Sequence, residues 1–199
     1  MVGIRNHAGF TVKALTDSSR IYKPNTSTND NLHFRPVKLD IWYPSREKSS
    51  KPLHYGALFN LFEERANRYQ GDKRYTGIVD ELVQQIIATL NKDQVDKDIL
   101  LKRKTNSYSG LSPIKEKLPL IIYMAGFNGM GFENSMMLEE LAMRGYLVVS
   151  IWSVGRYPGN MTNNKLDVME QVYDAAFALK YLTEKSSFNV DFGKVGIIA

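Results

Sequence analysis

Leu118-Pro-Leu-Ile-Ile-Tyr-Met-Ala-Gly-Phe-Asn-Gly-Met-Gly-Phe-Glu-Asn-Ser-Met-Met-Leu-Glu-Glu-Leu-Ala-Met-Arg-Gly-Tyr-Leu-Val-Val-Ser-Ile-Trp152 is the stretch from which the fold is read. It opens on a short apolar run, Leu120 to Met124, bounded by Pro119 and Gly126. A run of that length suits a strand buried on both faces. A glycine-rich loop follows, Gly126 to Gly131. Glu133 and Asn134 then start a helix whose apolar face is Met137, Leu138, Leu141 and Ala142. Gly145 sits just past Arg144, where a left-handed cap ends a helix. Leu147 to Trp152 is a second buried strand. Strand, loop, helix and strand make a crossover between parallel strands, and the expected class is α/β.

The loop admits three readings. Gly126, Gly129 and Gly131 can cradle a phosphate at a helix N-terminus. The dinucleotide fingerprint, however, is Gly-x-Gly-x-x-Gly, and the order here is Gly-x-x-Gly-x-Gly. That fingerprint also needs an acid near the end of the next strand, which instead ends Ser150-Ile151-Trp152-Ser153. The second reading is an oxyanion loop. A strand, a small residue, a glycine and one further residue turn sharply, so that a backbone N–H points at a developing oxyanion. Ala125-Gly126-Phe127 fits that shape. The third is a turn whose glycines serve close packing only. The loop by itself leaves the second and third open.

Composition narrows the class. The 199 residues hold 26 basic and 21 acidic side chains, a formal charge of +5, and no cysteine. The basic residues are dispersed. The densest group, Lys102-Arg103-Lys104, lies in a polar segment and reads as a solvated face, so no nucleic-acid partner is expected. Without cysteine there is no disulfide framework and no thiolate ligand or nucleophile. Three scattered histidines, His7, His33 and His54, make no metal site. No apolar run approaches the ~18 residues of a membrane span. No signal peptide is visible; the chain enters a motif at Met1-Val2-Gly3, which leaves room for a removed leader and a secreted or periplasmic setting.

The rest of the chain is read around this unit. Phe10 to Leu15 alternates like a strand. Asp17-Ser18-Ser19-Arg20 is a polar turn, and Asn25 to Asn31 a loop. Val37 to Tyr43 is a period-2 strand stopped by Pro44, paired antiparallel with the first. Residues 46–117 read as a helical and loop insertion within one domain spanning 1–199. Tyr55 to Tyr69 and Gly77 to Asn91 are its helices, with Leu58, Phe62, Ile78, Leu82 and Ile86 as apolar contacts, and Asp96 to Lys117 is a charged loop. Val154 to Asn164 is a loop at the carboxyl end of a strand, where open α/β sheets place ligands. A helix from about Lys165 to Thr183 buries Leu166, Met169, Val172, Ala176, Leu179 and Leu182. Asn189 to Lys194 is a turn, and Val195 to Ala199 another apolar strand.

Three separated blocks carry a family resemblance. Val2-Gly3, Asp17-Ser18-Ser19-Arg20 and Arg35-Pro36-Val37-Lys38-Leu39-Asp40-Ile41-Trp42-Tyr43-Pro44 form the first. Leu118 to Trp152 is the second, and Asp191-Phe192-Gly193-Lys194-Val195-Gly196 the third. In this order they resemble the plasma-type platelet-activating-factor acetylhydrolases and their dienelactone-hydrolase-like relatives. The family carries His-Gly at the oxyanion turn, and this chain has Ala125-Gly126.

The resemblance implies the N-terminal half of an α/β-hydrolase fold: a mostly parallel sheet flanked by helices, with a helical insertion. It implies hydrolysis of a small-molecule ester by a Ser-His-Asp triad, without a cofactor. No Gly-x-Ser-x-Gly occurs in the chain, and the family order is Ser, Asp, His. All three members are therefore expected beyond residue 199, and the chain itself is expected to be inactive. What carries over is the backbone N–H of Phe127 as oxyanion donor, turned by Gly126. Asn128, Trp152 and Ser153 are the candidate substrate-binding residues beside it. The strand from Val195 is central in the complete fold. Here its far side has no further strand, an edge that invites self-association. The competing readings are a non-catalytic binding or assembly module on the same half-fold, and a nucleotide-binding α/β domain.

Overall fold

The computed structural model describes residues 6–47, 51–69, 77–89, 96–126, 129–157 and 161–199. Its elements are β1 (His7–Ile21), β2 (Phe34–Ser45), α1 (Tyr55–Tyr69), α2 (Ile78–Thr89), α3 (Lys97–Lys102), β3 (Ser107–Ser109), β4 (Leu118–Met124), α4 (Ser135–Met143), β5 (Leu147–Ile151), α5 (Lys165–Glu184) and β6 (Val190–Ile198). They group into two compact units, one of residues 1–50 and 106–199, the other of residues 51–105. Among the described residues no helix is long and apolar enough to cross a membrane.

The first unit is a six-stranded sheet in the order β3-β1-β2-β5-β4-β6. The two apolar runs of the opening stretch pair parallel, Leu120 with Leu147 through Met124 with Ile151. All of β5 is buried, as a strand covered on both faces must be. β6 joins β4 in parallel, and β3 joins β1 in parallel. β2 is antiparallel to both β1 and β5, so the sheet is mixed.

The period-2 pattern of β2 sorts its side chains. Val37, Leu39, Ile41 and Tyr43 enter one cluster with Leu118, Leu120 and Ile122 of β4 and Leu147, Val149 and Ile151 of β5. Ala178 and Leu182 of α5 close that cluster. Trp42 points the other way. Its indole N–H donates to Ser107 Oγ at 2.9 Å, and that hydroxyl donates to Glu139 Oε1 of α4 at 2.7 Å. Glu139 is 1% exposed and its Oε2 also takes the Asn106 N–H at 3.0 Å, so the carboxylate ties the short β3 segment to the helix.

Several expectations are corrected. β1 runs through Asp17-Ser18-Ser19-Arg20 to Ile21, with a register shift between Asp17 and Ile21. The turn chemistry is present but sits inside the strand as a bulge. Asp17 Oδ1 takes the N–H and hydroxyl of Ser19 at 3.0 and 2.6 Å. β6 likewise starts at Val190 rather than Val195. Its register jumps from Asp191 opposite Pro119 to Val195 opposite Leu120, and the expected turn is the excursion between them. The segment expected as a charged loop after Asp96 contains α3 and β3.

On α5 Leu182 is buried as expected, but the inner face is otherwise not the one its apolar residues suggest. Glu170, Asp174, Ala178 and Leu182 are inside. Leu166 and Val172 are 52% and 53% exposed. The reason is electrostatic: the buried Arg35 and the half-buried Arg20 stand opposite this helix and require its carboxylates. On α4, Leu138 and Ala142 are buried as expected, while Met137 is exposed. Gly145 has φ 100°, and the N–H groups of Gly145 and Tyr146 return to Ala142 and Leu141, which closes the helix as its glycine predicts.

In the second unit Leu58, Phe59 and Tyr69 of α1 and Val79 and Val83 of α2 are buried. Leu58 is as expected. Phe62 of α1 is only half-buried, and so are Ile78, Leu82 and Ile86 of α2, the first two standing one position before the buried Val79 and Val83. Its two ends run side by side, with Thr105 N–H bonded to Leu53 O at 2.9 Å and Tyr55 N–H to Arg103 O at 3.0 Å.

Candidate functional site

Parallel β4 and β5 place their carboxyl ends together, and each end continues into a loop. After β4, Ala125 is buried and Gly126 is exposed. Gly129 N–H returns to Gly126 O at 2.7 Å, which closes the loop on itself. Glu133 lies across it. Its Oε1 takes the Tyr123 hydroxyl at 2.7 Å and the Gly126 N–H at 3.2 Å. Asn134 Nδ2 donates to the same tyrosine oxygen at 2.7 Å. A Cβ on Gly129 would stand 2.6 Å from Glu133 Oε2 and 2.9 Å from the backbone oxygen of Gly126, so the close backbone approach favours a glycine there. Burial raises the Tyr123 phenol above its ordinary value, and its bond to Glu133 raises it further against the opposing effect of Asn134. The phenol therefore stays protonated and donates.

The glycine loop is bound to the end of β5 as well. A Cβ on Gly131 would stand 1.1 Å from Trp152 Nε1, so the indole occupies the room a side chain would take. Ser150 Oγ donates to Gly131 O at 2.8 Å. Trp152 is 3% exposed, with the Phe132 ring 5.6 Å away and Lys38 Nζ 5.4 Å from its centre. Ser153 is half-buried. Its hydroxyl oxygen is inaccessible and has no hydrogen-bond partner among the described residues.

The structure thus brings Gly126, Trp152 and Ser153 to one end of the sheet. Phe127 and Asn128 lie outside the described residues. The histidines are elsewhere. His7 stacks edge-on to Tyr108, His33 is buried beside Phe34, and His54 belongs to the second unit.

Behind the β5 loop stands a cluster that the sequence reading did not assemble. Arg35 is 1% exposed. Its Nε and Nη2 hold Asp174 at 3.1 and 2.7 Å. Its Nη1 donates to Gly155 O at 2.5 Å and its Nη2 to Val154 O at 2.8 Å. Arg20 reaches Asp17, Glu170 and Asp174 at 2.7, 2.8 and 2.7 Å. Burial pushes the Asp17 carboxyl up, but Ser19 and the Arg20 guanidinium outweigh it and hold the group below its usual value. Burial also opposes the charge on Arg20, and Asp174 and Asp17 overcome that. The signal in the sequence was Glu170 and Asp174, two acids one turn apart on one face of the helix. On the far side of the loop, Asp167 accepts the N–H groups of Arg156 and Thr162 at 2.9 and 2.7 Å. A groove of about 720 Å³ also runs between β1 and α5, lined by Leu15, Arg20, Tyr173, Phe177 and Lys180 among others; it shares no residue with the carboxyl-end loops.

No protein-family model and no curated protein matches the sequence. Among solved structures, a ferulic acid esterase from Streptomyces cinnamoneus superposes with a TM-score of 0.63 at 21% identity. The match covers 98% of this chain and 52% of that one, so the chain spans about half the esterase's length. At that identity the likeness establishes the fold. The α/β sheet with its flanking helices is the one expected from the sequence, shared with an ester hydrolase.

Proposed function

We propose that this chain supplies the oxyanion side of a serine ester hydrolase acting on a small-molecule ester. The observation that carries the reading is the placement of Gly126. It follows a buried parallel strand at the carboxyl end of a sheet whose fold is shared with an esterase. Donors aimed at the developing oxyanion are a large part of such catalysis. In this reading the Phe127 N–H is the donor, Gly126 makes the turn, and Asn128, Trp152 and Ser153 border the substrate. In this reading the nucleophile is supplied by residues other than these 199, since no Gly-x-Ser-x-Gly occurs among them, and the acid and base follow it in the order that the family resemblance implies. The closer assignment, to the platelet-activating-factor acetylhydrolase and dienelactone hydrolase group, rests on the resemblance of the three sequence blocks, within which Asp17 pairs with Arg20 while Arg20 and Arg35 both meet Asp174.

The chain alone should neither hydrolyse p-nitrophenyl acetate nor take up a serine-directed phosphonate. Turnover that titrates with the phosphonate would overturn the placement of the triad. The coding sequence after Ala199 tests the reading itself: a Gly-x-Ser-x-Gly there supports it, and a stop codon sinks it.

One observation favours a second reading, a non-catalytic binding module. The Gly126 N–H already donates to the chain's own Glu133, and a carboxylate beside the turn repels a developing anion. The edge at β6 belongs to either reading. Ile197 and Val195 are 68% and 42% exposed on the strand that ends the sheet. Such an edge pairs readily with a second copy. Sedimentation should show a dimer that Ile197→Lys disperses; a monomer at high concentration removes the self-association.

A further inference from the structure

The β5–α5 connection, residues 152–164, is longer than the ~2–6 residues usual for such links. A long loop keeps one shape only where its backbone is held. Two anchors hold the described residues of this one, 152–157 and 161–164. From beneath, Arg35 donates to the carbonyls of Val154 and Gly155. From the rim, Asp167 accepts the N–H groups of Arg156 and Thr162 and the hydroxyl of Thr162. Successive carbonyls turned to one guanidinium leave the next amide facing outward, where Asp167 takes it.

We propose that Arg35 is a positioning residue, whose guanidinium, aimed by Asp174, sets the shape of the loop that follows Ser153 at the carboxyl end of β5. Its relevance to substrate rests on the hydrolase reading; the clamp itself does not. The division of labour follows from chemistry. A guanidinium has five donors in a fixed fork, enough for a carboxylate on one edge and two carbonyls on the other. Asp174 bonds Nε and Nη2 and so fixes the plane of the fork. Arg20 meets the same carboxylate and also Glu170, so Asp174 cannot swing away. Asp17 aims Arg20 in turn. The two arginine elements thus act as one relay from the β1 bulge to the β5 loop.

A purely stabilising role is the weaker account. Buried ion pairs replaced by well-packed apolar residues often leave a fold as stable as before. What apolar residues cannot supply is donors for two carbonyls. Arg35→Met with Asp174→Leu separates the roles, because Arg20 keeps Asp17 and Glu170 as partners. The expected result is a folded protein with an unchanged circular-dichroism spectrum but a released loop. Trypsin should then cut after Arg156, an exposed residue, at least ~10-fold faster than in the wild type. A folded double variant with unchanged cleavage there overturns the proposal.

Should the double variant fail to fold, Arg35→Lys decides. Lysine keeps the charge but replaces the rigid fork that spans Asp174 and both carbonyls with a single nitrogen on a flexible stem. Amide exchange of Arg156 should rise about tenfold or more in Arg35→Lys while Val149 in the core stays protected. Unchanged exchange at Arg156 overturns the clamp. Both readouts follow the loop and not hydrolysis. A stop codon after Ala199 would remove the substrate role and leave them intact, and an unmoved loop would sink the clamp while the hydrolase reading stands.

Discussion

Glu133 Oε1 stands 3.2 Å from the backbone nitrogen of Gly126 and 2.7 Å from the hydroxyl of Tyr123. The glycine loop is therefore closed by its own chain. Because the tyrosine donates to a carboxylate, removing its proton would set two negative oxygens together. Glu133→Ala should bring the Tyr123 titration, followed by ultraviolet absorbance, down towards the ordinary value of about 10. Glu133→Gln should lower it less, since its amide oxygen still accepts. A Tyr123 midpoint indifferent to both changes would mean that the contact is not formed in solution.

The glycines of this loop are not equivalent. A Cβ on Gly131 falls inside the Trp152 ring, while one on Gly126 meets nothing nearer than Glu133 Oε1 at 3.9 Å. Trp152 is buried between Phe132 and Lys38 and cannot step aside cheaply. Gly131→Ala should cost about 1–3 kcal/mol or more in urea unfolding, and Gly126→Ala less than about 1 kcal/mol. Equal costs would contradict the close approach of loop and indole.

How far the sequence could be read depends on what fixed each element. β4, α4 and β5 follow from hydrophobic runs, Pro119 and Gly145, all local signals, and they were legible. The two bulges were legible only as turns, because Asp17 and Asp191 bond the amides two residues on in strands and loops alike. The inner face of α5 was not legible. Its apolar residues outnumber its acids, but Arg35, distant in sequence and buried, decides which face turns in. Glu133 was visible as a helix-start residue, and only the fold of the loop brings Gly126 to it.

That correction gives a contrast in stability. Leu120 is fully buried in the cluster beneath α5, and Val172 on the helix is 53% exposed. Leu120→Ala should cost about 2–5 kcal/mol. Val172→Ala should stay within about 0.5 kcal/mol. A large loss at Val172 would restore the face that the apolar pattern suggested.

Asp167 supplies the pH dependence of the same end of the sheet. The N–H groups of Arg156 and Thr162 hold its carboxyl below the usual value, against some desolvation and with help from the Thr162 hydroxyl and Arg35. A carboxyl whose folded value is depressed stabilises the form in which it is charged. Its contribution is therefore complete above the unfolded value of about 3.9 and is lost as pH falls through the lower folded value. The group is largely solvated, so the effect on global stability should be small, under about 1 kcal/mol. The local effect should be plain. The amide resonances of Arg156 and Thr162 should titrate together with a midpoint below about 3.9, while the Ser19 amide follows Asp17 separately. Asp167→Asn should abolish the shared titration and speed exchange at both amides at neutral pH. A common midpoint at or above 3.9, or amides that titrate independently, would show that one carboxylate does not hold both ends of the loop.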